Sequence, residues 1–305
     1  MTAGDERLES DEEDETRSLA GTGPPTIMND NDAAEREHGN LPLAGKVAVV
    51  TGGGRGIGRA LVDELVREQV RAVVVLDQDM SGVAPLSAAS GDSHTRVVAY
   101  EGDLRAPGEL ENLVRNAERE FGRVDLFCSN AGVMAEGGVD VPDSAWQQSW
   151  EVNVLAHVRA ARSVLPGMIS RNEGMFLTML SAAAFLTAPG AAPYTVTKHA
   201  ALGFSEWLAI NYAQCGIRVC AVCPEAVDTP MLESSLAGNT GVRKIAAAGQ
   251  VLSPAEVARQ AVSAVKNGDF LVTTHPRTLR NAQKKWADVD KWINAMSSFL
   301  AERED

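Results

Sequence analysis

The sequence predicts an α/β domain built on a doubly wound parallel sheet of about seven strands with helices on both faces. Three observations carry this. Short, continuously apolar runs rich in Val recur along the chain, separated by stretches of helical periodicity, the pattern of strands buried on both faces. A glycine-rich stretch, Thr51-Gly52-Gly53-Gly54-Arg55-Gly56-Ile57-Gly58, stands between the first run and the first helix, and a carboxylate, Asp77, closes the second run. With 305 residues, 45% of them hydrophobic, the chain can bury one substantial core.

The elements follow in order. Residues 1–40 hold 12 acidic and 3 basic side chains, a net −9 of the chain's −13. They include Gly21-Thr22-Gly23-Pro24-Pro25 and show almost no apolar periodicity, so a disordered acidic tail is expected, more a solvating segment than a docking site. The main domain is expected over residues 41–273. Residues 46–50 read as the first strand, 60–68 as an amphipathic helix, and 71–76 and 96–100 as the second and third strands. Residues 109–121 form a helix, preceded by Pro107-Gly108 and stopped by Gly122. The fourth strand is 124–128, followed by a helical stretch over 141–171 with a break. The fifth strand is 175–180, a long helix covers 194–214, and the sixth strand is 218–223. A helix at 255–266 and a short seventh strand at 270–273 complete the pattern. Residues 225–251, rich in Ala, Gly and Ser, read as a mobile loop. Residues 274–305 form a helical extension in which Val289, Trp292, Ile293, Met296, Phe299 and Leu300 recur at three- and four-residue spacing. That apolar face is expected to be buried, on its own domain or against a neighbouring subunit.

Composition excludes several classes. Beyond residue 40 the charge is mildly acidic, which gives a nucleic-acid partner little support. No apolar run reaches membrane-spanning length, so no membrane partner is expected, and the acidic start does not read as a secretory signal. Cys128, Cys215, Cys220 and Cys223 lie in apolar stretches. Cys220 and Cys223 fall on a strand, where residues three apart face opposite sides, and no second Cys or His pair completes a zinc site. Reduced thiols, a cytoplasmic location and no metal are expected.

The glycine stretch has the strand-to-helix context that lets a backbone approach a pyrophosphate at a helix N-terminus. Asp77 can accept hydrogen bonds from adenosine ribose hydroxyls and would repel a 2′-phosphate, which favours NAD over NADP. Arg55 pulls the other way, but Asp77 weighs more because its position is tied directly to the ribose. Tyr194 and Lys198 are four apart on one helix and share a face. A cation beside the phenol is expected to lower its pKa from about 10, so that it exchanges a proton with a substrate oxygen near neutral pH. Ser181, after the fifth strand, can hold that oxygen. Asn153 lies in an earlier helix, where Asn is mildly unfavourable.

Together these residues resemble the short-chain dehydrogenases/reductases over about residues 43–273. Thr51 to Gly58 matches the family's glycine motif, and Asp103-Leu104 matches the Asp that contacts adenine. Ser129-Asn130-Ala131-Gly132 is similar to the Asn-Asn-Ala-Gly stretch, with Ser at the first place. Asn153, Ser181, Tyr194 and Lys198 match the catalytic tetrad in order and spacing. The resemblance implies a single-domain Rossmann fold and an NAD-dependent oxidoreductase acting on a secondary alcohol or ketone. Tyr194 would be the general acid/base and Ser181 would orient the substrate oxygen. Lys198 would bind the nicotinamide ribose and lower the tyrosine pKa, and Asn153 would support a water in a proton relay. Thr229 would contact the carboxamide. Gly52, Arg55, Gly56, Ile57, Gly58, Asp77, Asp103, Leu104, Asn130, Ala131, Gly132 and Pro224 complete the cofactor-binding set, with Tyr194 and Lys198. Residues 225–251 would be the substrate lid, and a homodimer or homotetramer is implied. Two departures stand out: Pro224-Glu225 replaces the frequent Pro-Gly, and the Gly-Gly near the seventh strand is missing.

Met134, Phe185, Leu186 and Met231 near the site point to a hydrophobic small-molecule substrate. His157, one turn after Asn153, reads as a packed or solvated helix residue rather than a relay member. His199 faces away from Lys198, and His94 and His275 read as surface residues. Two other functions fit the same fold: an NADP-dependent carbonyl reductase, and a nucleotide-sensing protein without turnover. The intact tetrad argues against the second.

Overall fold

The protein is described by a computed structural model, over residues 40–81 and 94–301. The chain runs β1 (Val47–Thr51), α1 (Gly56–Arg67), β2 (Ala72–Asp77), β3 (Arg96–Glu101), α2 (Glu109–Phe121), β4 (Leu126–Ser129), α3 (Asp143–Trp150), α4 (Ala156–Ser170), β5 (Gly174–Met179) and α5 (Ala192–Tyr212). There follow β6 (Ile217–Val222), α6 (Pro230–Gly238), α7 (Thr240–Ala247), α8 (Pro254–Asn267), β7 (Leu271–Val272), α9 (Pro276–Ala287) and α10 (Val289–Ala301). The strands form one parallel seven-stranded sheet in the order β3-β2-β1-β4-β5-β6-β7. The order reverses between β1 and β4, so the crevice at their carboxyl ends is where a ligand belongs.

The continuous apolar runs have a simple cause: both faces of the central strands are covered. On one face Val50, Val73, Val75, Leu126 and Leu177 pack against Leu61 and Leu65 of α1 and Val257 and Val262 of α8. On the other, Val49, Val74, Phe127 and Phe176 pack against Leu113 of α2, Val164 and Met168 of α4, and Leu208 of α5. The Phe127 and Phe176 rings stack with centroids 5.6 Å apart. Cys220 and Cys223 fall in different core clusters, as their spacing on a strand requires, and all four cysteines are free thiols.

Several expectations need correction. The first helix begins at Gly56, inside the glycine stretch, because the turn through the glycines runs directly into it. The break expected within 141–171 is a π turn, Glu151–Leu155, inserted between α3 and α4 without interrupting the helical path. Residues 225–251 are not a loop but contain α6 and α7. Thr229 and Asn239 cap these helices, their side-chain oxygens accepting from Leu232 N and Val242 N. The C-terminal extension is two helices. The first, α9, buries Ala282 and Thr278. The second, α10, buries no residue, and Val289 and Ile293 remain 40% and 56% exposed. Of its apolar face, Trp292, Met296, Phe299 and Leu300 are half-buried while Val289 and Ile293 are exposed, so its own chain covers part of that face: α10 packs chiefly on α9, and Lys244 Nζ of α7 donates to Phe299 O and Leu300 O. The acidic tail expected over residues 1–40 lies outside the described residues except for Asn40. Among the described residues no helix is long and apolar enough to cross a membrane.

Candidate active site

The nucleotide end of the crevice is shaped by glycine. Gly52 has φ +68°, and a Cβ there would lie 2.9 Å from Ala131 Cα; one on Gly58 would lie 1.9 Å from Gly52 O. Asn130 makes this close approach: its Nδ2 donates to Thr51 O (3.0 Å) and Gly52 O (3.2 Å). The N–H groups of Asn130 and Ala131 both donate to Thr51 Oγ1. Asn130, expected to touch the cofactor, thus commits its side-chain amide to bracing the glycine turn. Helix α1 opens with no side-chain cap and no acidic residue in its first turn. Its leading N–H groups and positive dipole end fit a pyrophosphate.

Asp77 closes β2 facing this turn. Its Oδ2 accepts from Gly54 N (2.7 Å) and its Oδ1 from Asp79 N (3.1 Å). Asp79 is held below the usual carboxylate range, first by hydrogen bonds from Ser81 and last by the charge of Arg55. Arg55 is exposed and Ile57 packs against the core. Asp103 is gripped by Arg105, whose Nε and Nη2 reach both carboxylate oxygens. That hydrogen bonding holds the Asp103 carboxyl below its ordinary range. Leu104 packs into the core beneath. At the other end of the loop, Gly132 leaves room between Asn153 and Lys198: a Cβ there would lie 3.4 Å from Asn153 Oδ1 and 3.5 Å from Lys198 Nζ.

The four tetrad residues are brought together around the carboxyl ends of β4 and β5. Tyr194 and Lys198 are buried in the first turns of α5, with Lys198 Nζ 5.6 Å from the Tyr194 ring centre. Lys198 Nζ donates to Met179 O at 3.0 Å. Ser181 caps the short 3-10 turn Ala182–Ala184, its Oγ accepting from Ala183 N (3.1 Å). Burial pushes Tyr194 above its ordinary pKa, with the neighbouring Ser181 side chain a smaller opposing influence. Burial pushes Lys198 down to about 8. The expected lowering of the phenol by Lys198 is therefore not met: the ammonium sits over the ring and bonds Met179, and desolvation dominates both groups.

Asn153 sits in the π turn, fully buried. Its Oδ1 accepts from Val133 N and its Nδ2 donates to Val133 O, both at 2.9 Å, and to Thr197 Oγ1 at 3.0 Å. One side chain thus ties the loop after β4 to α5. Pro224 O accepts from Ala182 N (2.8 Å), fixing the Ser181 turn to the end of β6. Thr229 Oγ1 donates to Val227 O and caps α6. A Cβ on Gly56 would lie 3.3 Å from Thr229 Cγ2, so the root of the 225–251 segment stands over the glycine turn.

Other residues belong to the site without having been singled out. Thr197 completes the Asn153 bonds, and its place inside Tyr194-Thr195-Val196-Thr197-Lys198 was the available signal. Cys223 is buried, and burial pushes its thiol up to about 12. His157 is fully buried, with Nδ1 2.7 Å from Ser129 Oγ, in keeping with a packed helix residue. Burial, then the Lys198 charge, pushes it down to about 3. His94 and His199 are exposed. His275 is not at the surface: it is 2% exposed, with Nδ1 accepting from Glu225 N and Nε2 3.1 Å from Gln250 O. Of the four apolar residues expected near substrate, Met134 packs with Tyr194. Phe185 and Leu186 pack in a separate cluster with Leu180 and Ala282, and Met231 is exposed on α6.

A family model described as short chain dehydrogenase matches residues 46–240. The chain is 36% identical over 193 residues to cis-1,2-dihydrobenzene-1,2-diol dehydrogenase of Pseudomonas putida, covering 61% of this chain and 68% of that protein. It is 34% identical over 206 residues to an NAD-dependent oxidoreductase of Mycobacterium tuberculosis, covering 63% and 74%. Among solved structures, a short chain dehydrogenase/reductase from Burkholderia phymatum in complex with NAD superposes with TM-score 0.74 at 26% identity, covering 82% of this chain and 96% of that one.

Proposed function

The chain belongs to the short chain dehydrogenase family, and from that premise we propose that it is an NAD-dependent oxidoreductase interconverting a hydrophobic secondary alcohol and its ketone. The observation that carries this reading is the joint burial of Tyr194 and Lys198 beside Ser181, with Lys198 Nζ 5.6 Å from the Tyr194 ring centre.

The cofactor, when bound, accepts or supplies the hydride at the carbinol or carbonyl carbon. The chain's own residues handle the proton. Tyr194 takes it from the alcohol oxygen in oxidation and returns it in reduction. Ser181 Oγ holds that oxygen within reach of the phenol. Lys198, anchored on Met179 O, holds the nicotinamide ribose. Asn153 fixes the loop after β4 against α5 and supports the water through which the proton leaves. The uncapped start of α1 binds the pyrophosphate, and Thr229 meets the carboxamide. Asp77 faces the glycine turn with a carboxylate suited to ribose hydroxyls, and Asp79 beside it sets a second negative charge against Arg55. Both disfavour a 2′-phosphate, which supports NAD over NADP.

The deciding experiment is NADH formation, followed by absorbance, with a panel of secondary alcohols and vicinal diols. Turnover with NAD and at least tenfold less with NADP is expected. Nucleotide binding without turnover of any member, in either direction, would favour the sensing protein instead.

A further inference from the structure

Glu225 stands where the family frequently has Gly. It turns towards α9. Its side chain is 6% exposed, and Arg277 Nε donates to its Oε2 at 2.5 Å. Thr278 Oγ1 donates to its Oε1, and its backbone N–H donates to His275 Nδ1. Arg277 has two further acceptors. Nη1 donates to Ala248 O and Nη2 to Ile245 O (3.1 Å), carbonyls of the last turn of α7 that have no partner within the helix. Gly249 adds an independent sign. A Cβ there would lie 2.0 Å from Arg277 Nη2, although its backbone is not in the left-handed region. The three atoms nearest such a Cβ all belong to the Arg277 guanidinium. Farther along α9, Lys285 Nζ donates to Phe185 O (2.7 Å), in the segment following Ser181.

We propose that Arg277 is a positioning residue: through Glu225 and the α7 carbonyls it latches the 224–229 segment and the helices of the 230–250 lid to the C-terminal extension, so that α9 sets where the lid stands over the substrate. This rests on the dehydrogenase reading for its consequence in catalysis. One fork-shaped cation serves three acceptors on two active-site segments, a task that Lys, with its single nitrogen, performs only in part.

The test compares Arg277→Ala, Gly249→Ala, the double variant and Arg277→Lys with the parent protein. It reads amide hydrogen exchange over residues 240–250, NAD affinity by titration, and KM against kcat. Arg277→Ala should speed exchange in that segment by roughly tenfold or more. It should raise the substrate KM by about fivefold with kcat changed less than about twofold. Gly249→Ala should reproduce both effects by displacing the guanidinium. In the double variant it should add nothing, because the group it displaces is already gone. Arg277→Lys should fall between. If Arg277→Ala fails to fold with Glu225 left buried and unpaired, Glu225→Ala/Arg277→Met removes both charges and is read the same way. Unchanged exchange, additive effects in the double variant, or faster exchange with KM and NAD affinity both unchanged would each overturn the proposal. A parent protein that turns over no substrate removes the dehydrogenase reading alone; exchange, non-additivity and NAD affinity still decide the latch.

Discussion

Lys198 Nζ lies 5.6 Å from the centre of the Tyr194 ring and donates its hydrogen bond to Met179 O, not to the phenol. Ser181 is the polar side chain that acts on the hydroxyl, lowering its pKa against the larger effect of burial. In the protein alone, burial keeps Tyr194 protonated well into the alkaline range, so the phenol is poised as an acid until a bound cofactor alters its surroundings. Replacing Tyr194 by Phe removes only that hydroxyl. Turnover should fall by roughly 100-fold or more, while NAD affinity measured by titration stays within about twofold. Near-normal turnover in this variant would remove Tyr194 from the chemistry.

Asp77 does two things at once: its Oδ2 holds Gly54 N, and the same carboxylate ends β2 where the adenosine ribose is expected. Asp77→Ala should therefore weaken NAD binding by about tenfold or more and narrow the preference over NADP, as one lost charged acceptor warrants. Competition between the two nucleotides checks this. A parent protein that already prefers NADP would show that Asp79 and Asp77 do not govern the choice.

His157 is buried as the neutral imidazole, its pKa pushed down to about 3 by burial and by the Lys198 charge. The unfolded chain titrates near 6.5, so between these values the unfolded state binds the extra proton. This group's contribution is present above pH 6.5 and is lost as pH falls towards 3, at up to about 1.4 kcal/mol per pH unit. His157→Asn lacks the titration. Urea unfolding at pH 7.5 and pH 5.0 should show the parent losing more stability than the variant. Equal losses would mean that His157 already carries a proton in the folded state.

Much of this was legible in the sequence, and what was not has identifiable causes. The Ala72–Asp77 run of valines declared a buried strand because both its faces are covered. Tyr194, Lys198 and Ser181 do converge, because spacing within α5 and position after β5 are local properties. Their mutual electrostatics were not legible, since desolvation of Tyr194 and Lys198 depends on what packs around them. Asn130, expected at the cofactor, directs its side-chain donors to Thr51 and Gly52, a contact between residues far apart in the chain that the sequence does not display. The lid helices were missed although Thr229-Pro230 and Asn239 are cap signals; composition was weighed above capping. His275 read as a surface residue because its partners, Glu225 and Gln250, come from two other segments.

Gly58 offers a severe test of the nucleotide end. A Cβ there would lie 1.9 Å from Gly52 O and 2.5 Å from Asn130 Nδ2, both fixed by the brace described above. Gly58→Ala must push the glycine turn away from α1 or break the Asn130 bonds. NAD binding should become undetectable by titration, with melting lowered by several degrees, the size of effect that backbone displacement in a packed turn produces. A variant that binds NAD like the parent would mean that the turn relaxes freely.

The exposed stripe on the C-terminal helices calls for a partner. Val289 and Ile293 lie one turn apart on α10, and Trp286 at the end of α9 is 68% exposed. Periodicity marked an apolar face that its own chain covers in part: Trp292, Met296, Phe299 and Leu300 are half-buried, while Val289 and Ile293 stay exposed. Apolar patches of this kind on a stable protein are contact surfaces or aggregation hazards. A second copy of the chain is the expected cover, given the family's oligomers. Ile293→Asp should then lower the mass seen by light scattering while melting stays close to that of the parent, because a half-exposed side chain contributes little to its own fold. If mass and activity are unchanged, the stripe is not a subunit contact. If mass is unchanged and the variant melts many degrees lower, α10 is held by its own chain more firmly than its exposure implies.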